Sequence, residues 1–374
     1  MKAFTKPIYI TRPLMPPLNI FTDKLKEVWK SKWLSNNGRQ LQTLEKKVQK
    51  TLKVPYASIF NNGTIALLTA IKTLDLKGEV ITTPFTFPAT PNSLTWCNIK
   101  PVFCDIDSIS MNIDANKIEK LITKKTAAIL AVHVFGTPCD VKKIQKIAKK
   151  NNLKVIYDSA HAFGTEIDDI GIGNFGDISM FSFHPTKLFH TAEGGTLTCK
   201  NKSLKEKIDL LRNFGIKNEE EVIIPGINGK MNEIQAVLGL VVLSLIKTER
   251  KRRKIISDIY KHYLDDIEGI TYLKSQSNVK NSYQYFVIRI NEKIFGRSRD
   301  EVYDILKTYN IHTRKYFFPL CSQYPYYKDL PSSNPKNLFS AHLVVQEVLA
   351  LPFYGTLPVN NAEKIIGLLK SLIK

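Results

Sequence analysis

A chain of 374 residues, 43% hydrophobic and 24% charged, has room for one large domain with a substantial core and a smaller second one, and its composition is that of a soluble globular protein. No uncharged apolar run reaches the roughly 18 residues of a membrane span, prolines interrupt the amino terminus MKAFTKPIYITRPLMPP where a signal peptide needs an apolar core, and Cys97, Cys104, Cys139, Cys199 and Cys321 lack CxxC spacing; a cytoplasmic location is expected, with no membrane partner, zinc site or disulfide framework. The net charge of +20 is spread over most predicted helices, and its one dense cluster, KTERKRRK at 247–254, has neither interleaved aromatics nor a helix-turn-helix pattern, which disfavours nucleic acid and leaves a lysine-rich composition or a diphosphate-bearing substrate as its explanation.

In chain order, helical spacing appears at 23–31 and 40–53, joined by the turn formers Ser35-Asn36-Asn37-Gly38. Residues 57–60 read as a strand, Asn61-Asn62-Gly63-Thr64 as a turn and 65–74 as an apolar helix. The first amides of such a helix form an anion site, although Gly-Thr also serves as a plain cap. Strand and helix then alternate through 79–83, 88–96, 101–104, 115–122, 127–132, 140–150 and 154–158. That alternation implies an α/β fold with a mostly parallel sheet and helices on both faces, in which ligands gather at the carboxyl ends of strands. Phe87 follows one strand and could stack on a planar ring; Asp158 ends the apolar strand KVIY, where a carboxylate has little structural purpose. Residues 171–176 match GxGxxG but precede a strand instead of opening a helix, so they read as a turn and not as a nicotinamide signature.

Residues 177–198, DISMFSFHPTKLFHTAEGGTLT, hold the most unusual lysine of the chain. Lys187 is bracketed by Phe181, Phe183, Leu188 and Phe189, surroundings that desolvate an amine, lower its pKa and make it nucleophilic; the bland alternative is a loop lysine with a buried stem. Beyond it lie a helix at 203–212, solvated Glu219-Glu220-Glu221, a loop at 225–229 and a helix at 232–245. A separate basic helix near 247–263 is expected to link a large domain (1–246) to a smaller α+β one (247–374), with the amino-terminal segment able to pack on the second. In that smaller unit 283–290 and 313–317 read as strands, and 299–309, 338–349 and 361–373 as helices.

One cofactor accounts for the strand-end residues together. A pyridoxal phosphate enzyme needs an amine, here Lys187, and a carboxylate to keep the pyridine nitrogen protonated, here Asp158. It also needs a phosphate cradle, for which the Gly63 and Thr64 amides and the Ser182 hydroxyl qualify. Phe87 on one ring face and Ala160 on the other complete the set, and His161 could bond the phenolic oxygen or be an ordinary core histidine.

The segments FNNGTIALLTA, TTPFTFPATPNSL, PVFCDID, VHVFGTPCD, YDSAHAFGT, FSFHPTKLFHTAEGG, RNFG and GINGKMNEIQAVLGL, in that order, resemble the DegT/DnrJ/StrS family of nucleotide-sugar aminotransferases. The resemblance implies a fold of the aspartate-aminotransferase type (fold type I) and a homodimer with shared active sites. It makes Lys187 the Schiff-base lysine, Asp158 the pyridinium partner, Phe87 the stacking aromatic and His161 the neighbour of the phenolic oxygen. Gly63, Thr64 and Ser182 match the phosphate site, and Asn228 matches an asparagine that the second subunit adds to it. The sequence departs from the family at Gly229-Lys230, where many members carry Tyr-Arg; Lys230 is kept as a candidate substrate residue. Lysine at 187, where a deoxygenating branch has histidine, implies transamination from L-glutamate through pyridoxamine phosphate. Residues 313–320, TRKYFFPL, resemble the region of members that aminate dTDP-4-keto-6-deoxyglucose to dTDP-4-amino-4,6-dideoxyglucose; Arg314 and Lys315 could meet the diphosphate and Tyr316 the sugar or base, or all three could be structural residues of an edge strand, and the resemblance implies a role in polysaccharide or O-antigen biosynthesis. A 3-keto or other nucleotide sugar, and a catalytically idle regulatory homologue, stay open as alternatives.

Overall fold

The computed structural model describes residues 2–373. The chain opens with a short strand, β1 (Ile8–Tyr9), and two helices, α1 (Leu18–Ser31) and α2 (Arg39–Leu52). α2 buries Leu41, Leu44, Val48 and Leu52, one apolar stripe at helical spacing. It has no cap of its own, and the Gln40 and Leu41 amides donate instead to the Glu233 carboxylate, at 2.8 and 2.9 Å.

The core sheet follows from strand–helix alternation: β2 (Tyr56–Phe60), α3 (Gly63–Thr73), β3 (Glu79–Thr82), α4 (Ala89–Trp96), β4 (Lys100–Phe103), α5 (Ala115–Ile118), β5 (Thr126–Val132), α6 (Val141–Lys150) and β6 (Lys154–Asp158). After the small strands β7 (Glu166–Ile167) and β8 (Ile170–Gly171) come β9 (Ile178–Ser182), β10 (Gly195–Cys199) and α7 (Lys202–Arg212). The sheet order is β2-β10-β9-β6-β5-β3-β4. All pairings from β9 to β4 are parallel, and β10 alone runs antiparallel, between β2 and β9. Both faces are covered. Val155 and Tyr157 of β6 join one apolar cluster and Ile156 the other, the two-residue period of a strand buried on both sides. The architecture is therefore the mostly parallel α/β sheet expected from the sequence. Strand β10 was not among the expected elements, because GTLTC, small and hydroxyl residues around a single leucine, lacks the bulky apolar residues that mark its neighbours.

One helix replaces two. The segments expected at 232–245 and 247–263 form a single 32-residue helix, α8 (Glu233–Leu264). Nothing between them breaks a helix, and the apolar stripe simply changes partners: Ala236, Leu240 and Ile246 pack in the core under the sheet, whereas Ile256, Tyr260 and Leu264 pack in a second core. That second core is built on the sheet β11 (Ile270–Tyr272), β13 (Phe286–Ile290) and β15 (Val348–Leu351), after β12 (Val279–Lys280) has paired with β7. Ile8 of β1 belongs to it as well, since β1 pairs in parallel with β14 (Ile311–His312). Residues 313–317 are not a strand: Arg314 makes one isolated bridge to Ala350 and the chain then turns at Tyr316 and Phe317. The helix expected over 338–349 ends at Glu347, where β15 begins, because 348–351 is a fully buried apolar run that suits a strand.

Candidate active site

The carboxyl ends of β2, β3, β6 and β9 open on a cavity of about 280 Å³, whose wall includes Gly63, Thr64, Phe87, Asp158, Ala160, His161, Ser182, Lys187, Arg314 and Tyr316. The sheet brings the residues from Gly63 to Lys187 together because each lies at or shortly past the same end of a strand, and Arg314 and Tyr316 are added by the segment that follows β14.

Asp158, the last residue of β6, is only 5% exposed. Its Oδ2 accepts the Thr90 hydroxyl at 2.8 Å and its Oδ1 the Ala160 amide at 3.0 Å. Thr90 is held in turn by Thr86, Oγ1 to Oγ1 at 2.8 Å. Among the described residues no basic side chain forms an ion pair with this carboxylate. Burial raises its pKa, and the Thr90 and Ala160 hydrogen bonds and the Lys187 charge only partly oppose that. A buried, hydrogen-bonded carboxyl facing a cavity without a cation of its own fits a ligand that brings a positive charge.

Lys187 follows β9 in a loop whose first turn is closed by its amide donating to the His184 carbonyl at 2.9 Å. Its Nζ lies 5.9 Å from the centre of the Tyr285 ring. Burial lowers the amine's pKa; Tyr316 and Asp158 oppose this, and the Arg314 charge reinforces it. His161 Nδ1 accepts the Phe135 amide at 3.2 Å, which leaves the proton of a neutral ring on Nε2. Burial and the nearby Lys187 charge push its pKa well down, so the ring is neutral near pH 7. It meets Tyr285 edge-on, centroids 5.0 Å apart, and lies parallel to Phe317 within 6°.

The amino terminus of α3 faces the same space. Asn62 caps it by accepting the Ile65 amide at 2.8 Å, and among the described residues the Gly63 and Thr64 amides have no protein acceptor. A side chain at Gly63 would press on Met180 and Ser182, with its Cβ 3.3 Å from Met180 Sδ, so glycine lets the helix end approach β9. Ser182 Oγ accepts the His184 amide at 3.4 Å and keeps its own proton for another acceptor. Two amides at a helix start beside a hydroxyl form an oxyanion cradle. Phe87, 53% exposed, presents an unstacked ring to the cavity. These features fit a flat, anionic, ring-nitrogen-bearing cofactor.

Elsewhere on the cavity wall, Arg314 lies over the Tyr316 ring, 4.7 Å from its centre, and the hydroxyls of the buried Tyr316 and Tyr285 are 3.4 Å apart. His184 and Glu193 also line the cavity, with Nε2 to Oε1 at 3.7 Å. The sequence reading missed Thr90, Tyr285 and Phe317. Thr90 was legible as the small polar residue one helical turn beyond the threonine–phenylalanine pair at 86–87; Tyr285 and Phe317 carry no local signal and arrive through the tertiary fold.

Two expected residues are elsewhere. Lys315 does not line the cavity: it pairs with Asp300 at 2.5 Å and covers the Tyr303 ring at 4.3 Å. Lys230 lies over the Phe214 ring, 4.2 Å from its centre, and lines a separate depression with Arg212 and Asn36. Asn228 does not line the cavity within one chain; it bridges Asn213, and its carbonyl accepts the Asn61 amide side chain at 3.4 Å.

The similarities to known proteins agree with this geometry. Residues 19–370 match the profile of the DegT/DnrJ/EryC1/StrS aminotransferase family. A dTDP-4-amino-4,6-dideoxy-D-glucose transaminase of Shigella dysenteriae is 44% identical over 367 residues, covering 98% of this chain and 99% of the relative. The Escherichia coli transaminase of the same name is also 44% identical, over 371 residues and 98% of each chain. Among solved structures, DesI in the presence of its TDP-sugar product superposes with a TM-score of 0.94 at 31% identity, covering 99% of this chain and 94% of that one. Helicobacter pylori PseC, an aminotransferase involved in the biosynthesis of pseudoaminic acid, gives a TM-score of 0.91 at 30% identity, covering 98% and 99% of the two chains. The chain belongs to the DegT/DnrJ/EryC1/StrS aminotransferase family.

Proposed function

We propose that this aminotransferase uses pyridoxal 5'-phosphate to move an amino group from L-glutamate to dTDP-4-keto-6-deoxy-D-glucose, giving dTDP-4-amino-4,6-dideoxy-D-glucose for polysaccharide or O-antigen synthesis. The observation that carries the cofactor assignment is that Lys187 and the buried carboxyl of Asp158, which forms no ion pair among the described residues, share one cavity with the unpartnered amides at the start of α3. The substrate assignment is supported by the two relatives at 44% identity and by Arg314 and Tyr316 in the cavity wall.

In this reading Lys187 would hold the cofactor by its amine, Asp158 would pair with its ring nitrogen, and the Gly63 and Thr64 amides with Ser182 would hold its phosphate. Phe87 and Ala160 would pack on its two faces, and the His161 Nε2–H would donate to its phenolic oxygen. When bound, the cofactor supplies an electron-accepting ring conjugated to the carbon at which nitrogen is exchanged. Asp158 sustains that capacity by favouring the protonated ring nitrogen. Lys187 Nζ, made less basic by burial, takes the proton from the α-carbon of glutamate and later delivers one to the sugar carbon that receives the nitrogen. Arg314 favours the anionic diphosphate through charge, and the Tyr316 hydroxyl offers a hydrogen bond to the sugar.

The reading includes a cytoplasmic homodimer, in which Asn228 of one subunit serves the phosphate site of the other, and a division into domains at 1–246 and 247–374. Exposed apolar side chains on α1 and the loops that follow, Trp29, Trp33 and Leu34, and on the 214–227 segment, Phe214, Ile223 and Ile227, support self-association. The test is a panel of keto-sugar nucleotides incubated with glutamate, with the product identified by NMR. Nitrogen at C4 of the dTDP sugar is expected; nitrogen at C3, or turnover confined to another nucleotide, would replace the substrate assignment.

A further inference from the structure

A buried strap crosses behind the reactive lysine. The chain between β12 and β13 runs through Ser282, Tyr283, Gln284 and Tyr285, and three of these four residues touch the site. Ser282 Oγ donates to the His161 carbonyl at 2.9 Å, and Tyr285 forms part of the cavity wall. Gln284, 1% exposed, uses both ends of its amide on the loop that carries Lys187: Oε1 accepts the Leu188 amide at 2.7 Å and Nε2 donates to the Thr186 carbonyl at 2.9 Å. These are the peptide groups on either side of Lys187. The strap is held from behind by Arg253 of α8, also 1% exposed, whose Nη1 donates to the Tyr283 carbonyl at 3.2 Å and to the Gln284 carbonyl at 3.4 Å.

We propose that Gln284 is a positioning residue for Lys187, fixing the lysine's backbone so that its amine is presented to the cavity in one orientation. The inference rests on the reading of Lys187 given above. A planar group with one donor and one acceptor pairs with two flanking peptide groups as a peptide would, and here it replaces the missing partners of a loop that is neither helix nor strand. Packing restrains the loop beyond the lysine, where Leu188 and Phe189 are fully buried, Phe189 lies against Phe163 and Phe183, and the Thr191 amide donates to the Phe183 carbonyl at 3.1 Å, but few hydrogen bonds act on the peptide groups next to the lysine itself. Besides the Lys187 amide to the His184 carbonyl at 2.9 Å, the local bonds are those of His184 Nδ1 with the Thr186 hydroxyl at 2.9 Å and with the Thr186 amide at 3.3 Å, all on the amino-terminal side. Gln284 is the bond donor and acceptor that reaches past the lysine to its carboxyl-terminal side. A proton shuttle that must reach two carbons in succession tolerates little displacement, and about 1 Å of misplacement costs on the order of 100-fold in rate.

Two substitutions test this. Gln284→Met keeps the length and removes both hydrogen bonds. Gln284→Glu is isosteric and, once protonated, restores one donor and one acceptor, whereas its ionised form sets a negative charge against the Thr186 carbonyl. The expected results are a fall of about 10- to 100-fold in kcat per bound cofactor for Gln284→Met, with KM for glutamate changed less than about threefold, and a shifted pH midpoint of the yellow absorbance band. For Gln284→Glu the ratio of variant to wild-type kcat rises as pH falls, while the ratio for Gln284→Met stays flat. A lowered melting temperature with unchanged kcat per bound cofactor, unchanged band titration and a flat Gln284→Glu ratio would reduce Gln284 to a structural residue and overturn the proposal. Should Gln284→Met fail to fold, the pH ratio of Gln284→Glu decides alone. A wild-type protein without a yellow band fixed to Lys187 by borohydride would instead overturn the reading of Lys187 itself.

Discussion

Asp158 combines burial, two hydrogen-bond donors and no cationic partner, a costly arrangement for a carboxyl unless a ligand brings the positive charge. Asp158→Ala is expected to lower kcat by about 100-fold or more, the scale of losing a preorganised electrostatic partner, with the melting temperature held or raised; retained turnover in a steady-state assay would show that the ring nitrogen finds its charge elsewhere. A second buried group sets a pH dependence. Burial pushes His133 from an ordinary value of 6.5 down to about 3, so the unfolded chain takes up a proton below pH 6.5 that the folded chain refuses. The stability that the neutral ring confers is complete above pH 6.5 and is lost as pH falls toward 3. Between pH 7 and 5.5 this one histidine should cost about 1 kcal/mol; urea denaturation at the two pH values measures it, and His133→Gln should remove that share of the slope. At this scale the clustering of the candidate site is largely legible in the sequence, because Asp158 and Ser182 are polar residues at the ends of apolar strands and Lys187 lies among apolar residues in the loop that follows one. Lys315 lies outside that cluster because its partners, Asp300 and Tyr303, come from a helix that the sequence of 313–320 does not reveal.

At the scale of elements, α8 does most to connect the parts of the molecule. Its buried Arg253 pairs with Glu249 at 2.7 Å, and Glu249 also accepts the Gly355 amide at 2.8 Å, so one helix turn ties together the strap behind Lys187 and the approach to the helix Val359–Ser371. Removing one partner leaves a buried charge uncompensated, and Arg253→Ala is expected to destabilise by about 3–5 kcal/mol, read from the midpoint of chemical denaturation; a change below about 1 kcal/mol would mean that water replaces the guanidinium. At α3 the cap is the lever. Asn62→Ala should cost about 1 kcal/mol of stability and loosen the helix start beside Ser182, measurable as faster loss of the yellow absorbance on dilution. The alternation of strand and helix that yields the sheet was readable from residue 57 to 158, where each strand is a short apolar run between turn formers. The long helix was divided in two because its apolar stripe changes partners near Ile246, a tertiary event that periodicity alone does not record. Gln284 was invisible for the same reason, lying 98 positions from the carbonyl it holds.

For the whole molecule, the +20 charge and the second subunit are the properties that no single element carries. If the charge captures a diphosphate, kcat/KM for the sugar nucleotide should fall steeply as salt shortens the screening length from about 10 Å at 0.1 M to about 3 Å at 1 M, while kcat holds; a flat response would assign the lysines to general composition. A monomeric variant of the exposed Trp29–Trp33 surface should be inactive if Asn228 completes a partner's site, and an active monomer would remove Asn228 from the reading. Among the described residues no helix is long and apolar enough to cross a membrane. The most direct measurement is borohydride reduction of the purified yellow protein followed by peptide mass mapping. A single adduct on Lys187, absent from Lys187→Ala together with the colour and the transamination, is the expected result. An adduct on another lysine, or a colourless Lys187→Ala protein that still aminates the sugar, would contradict the central role assigned to Lys187.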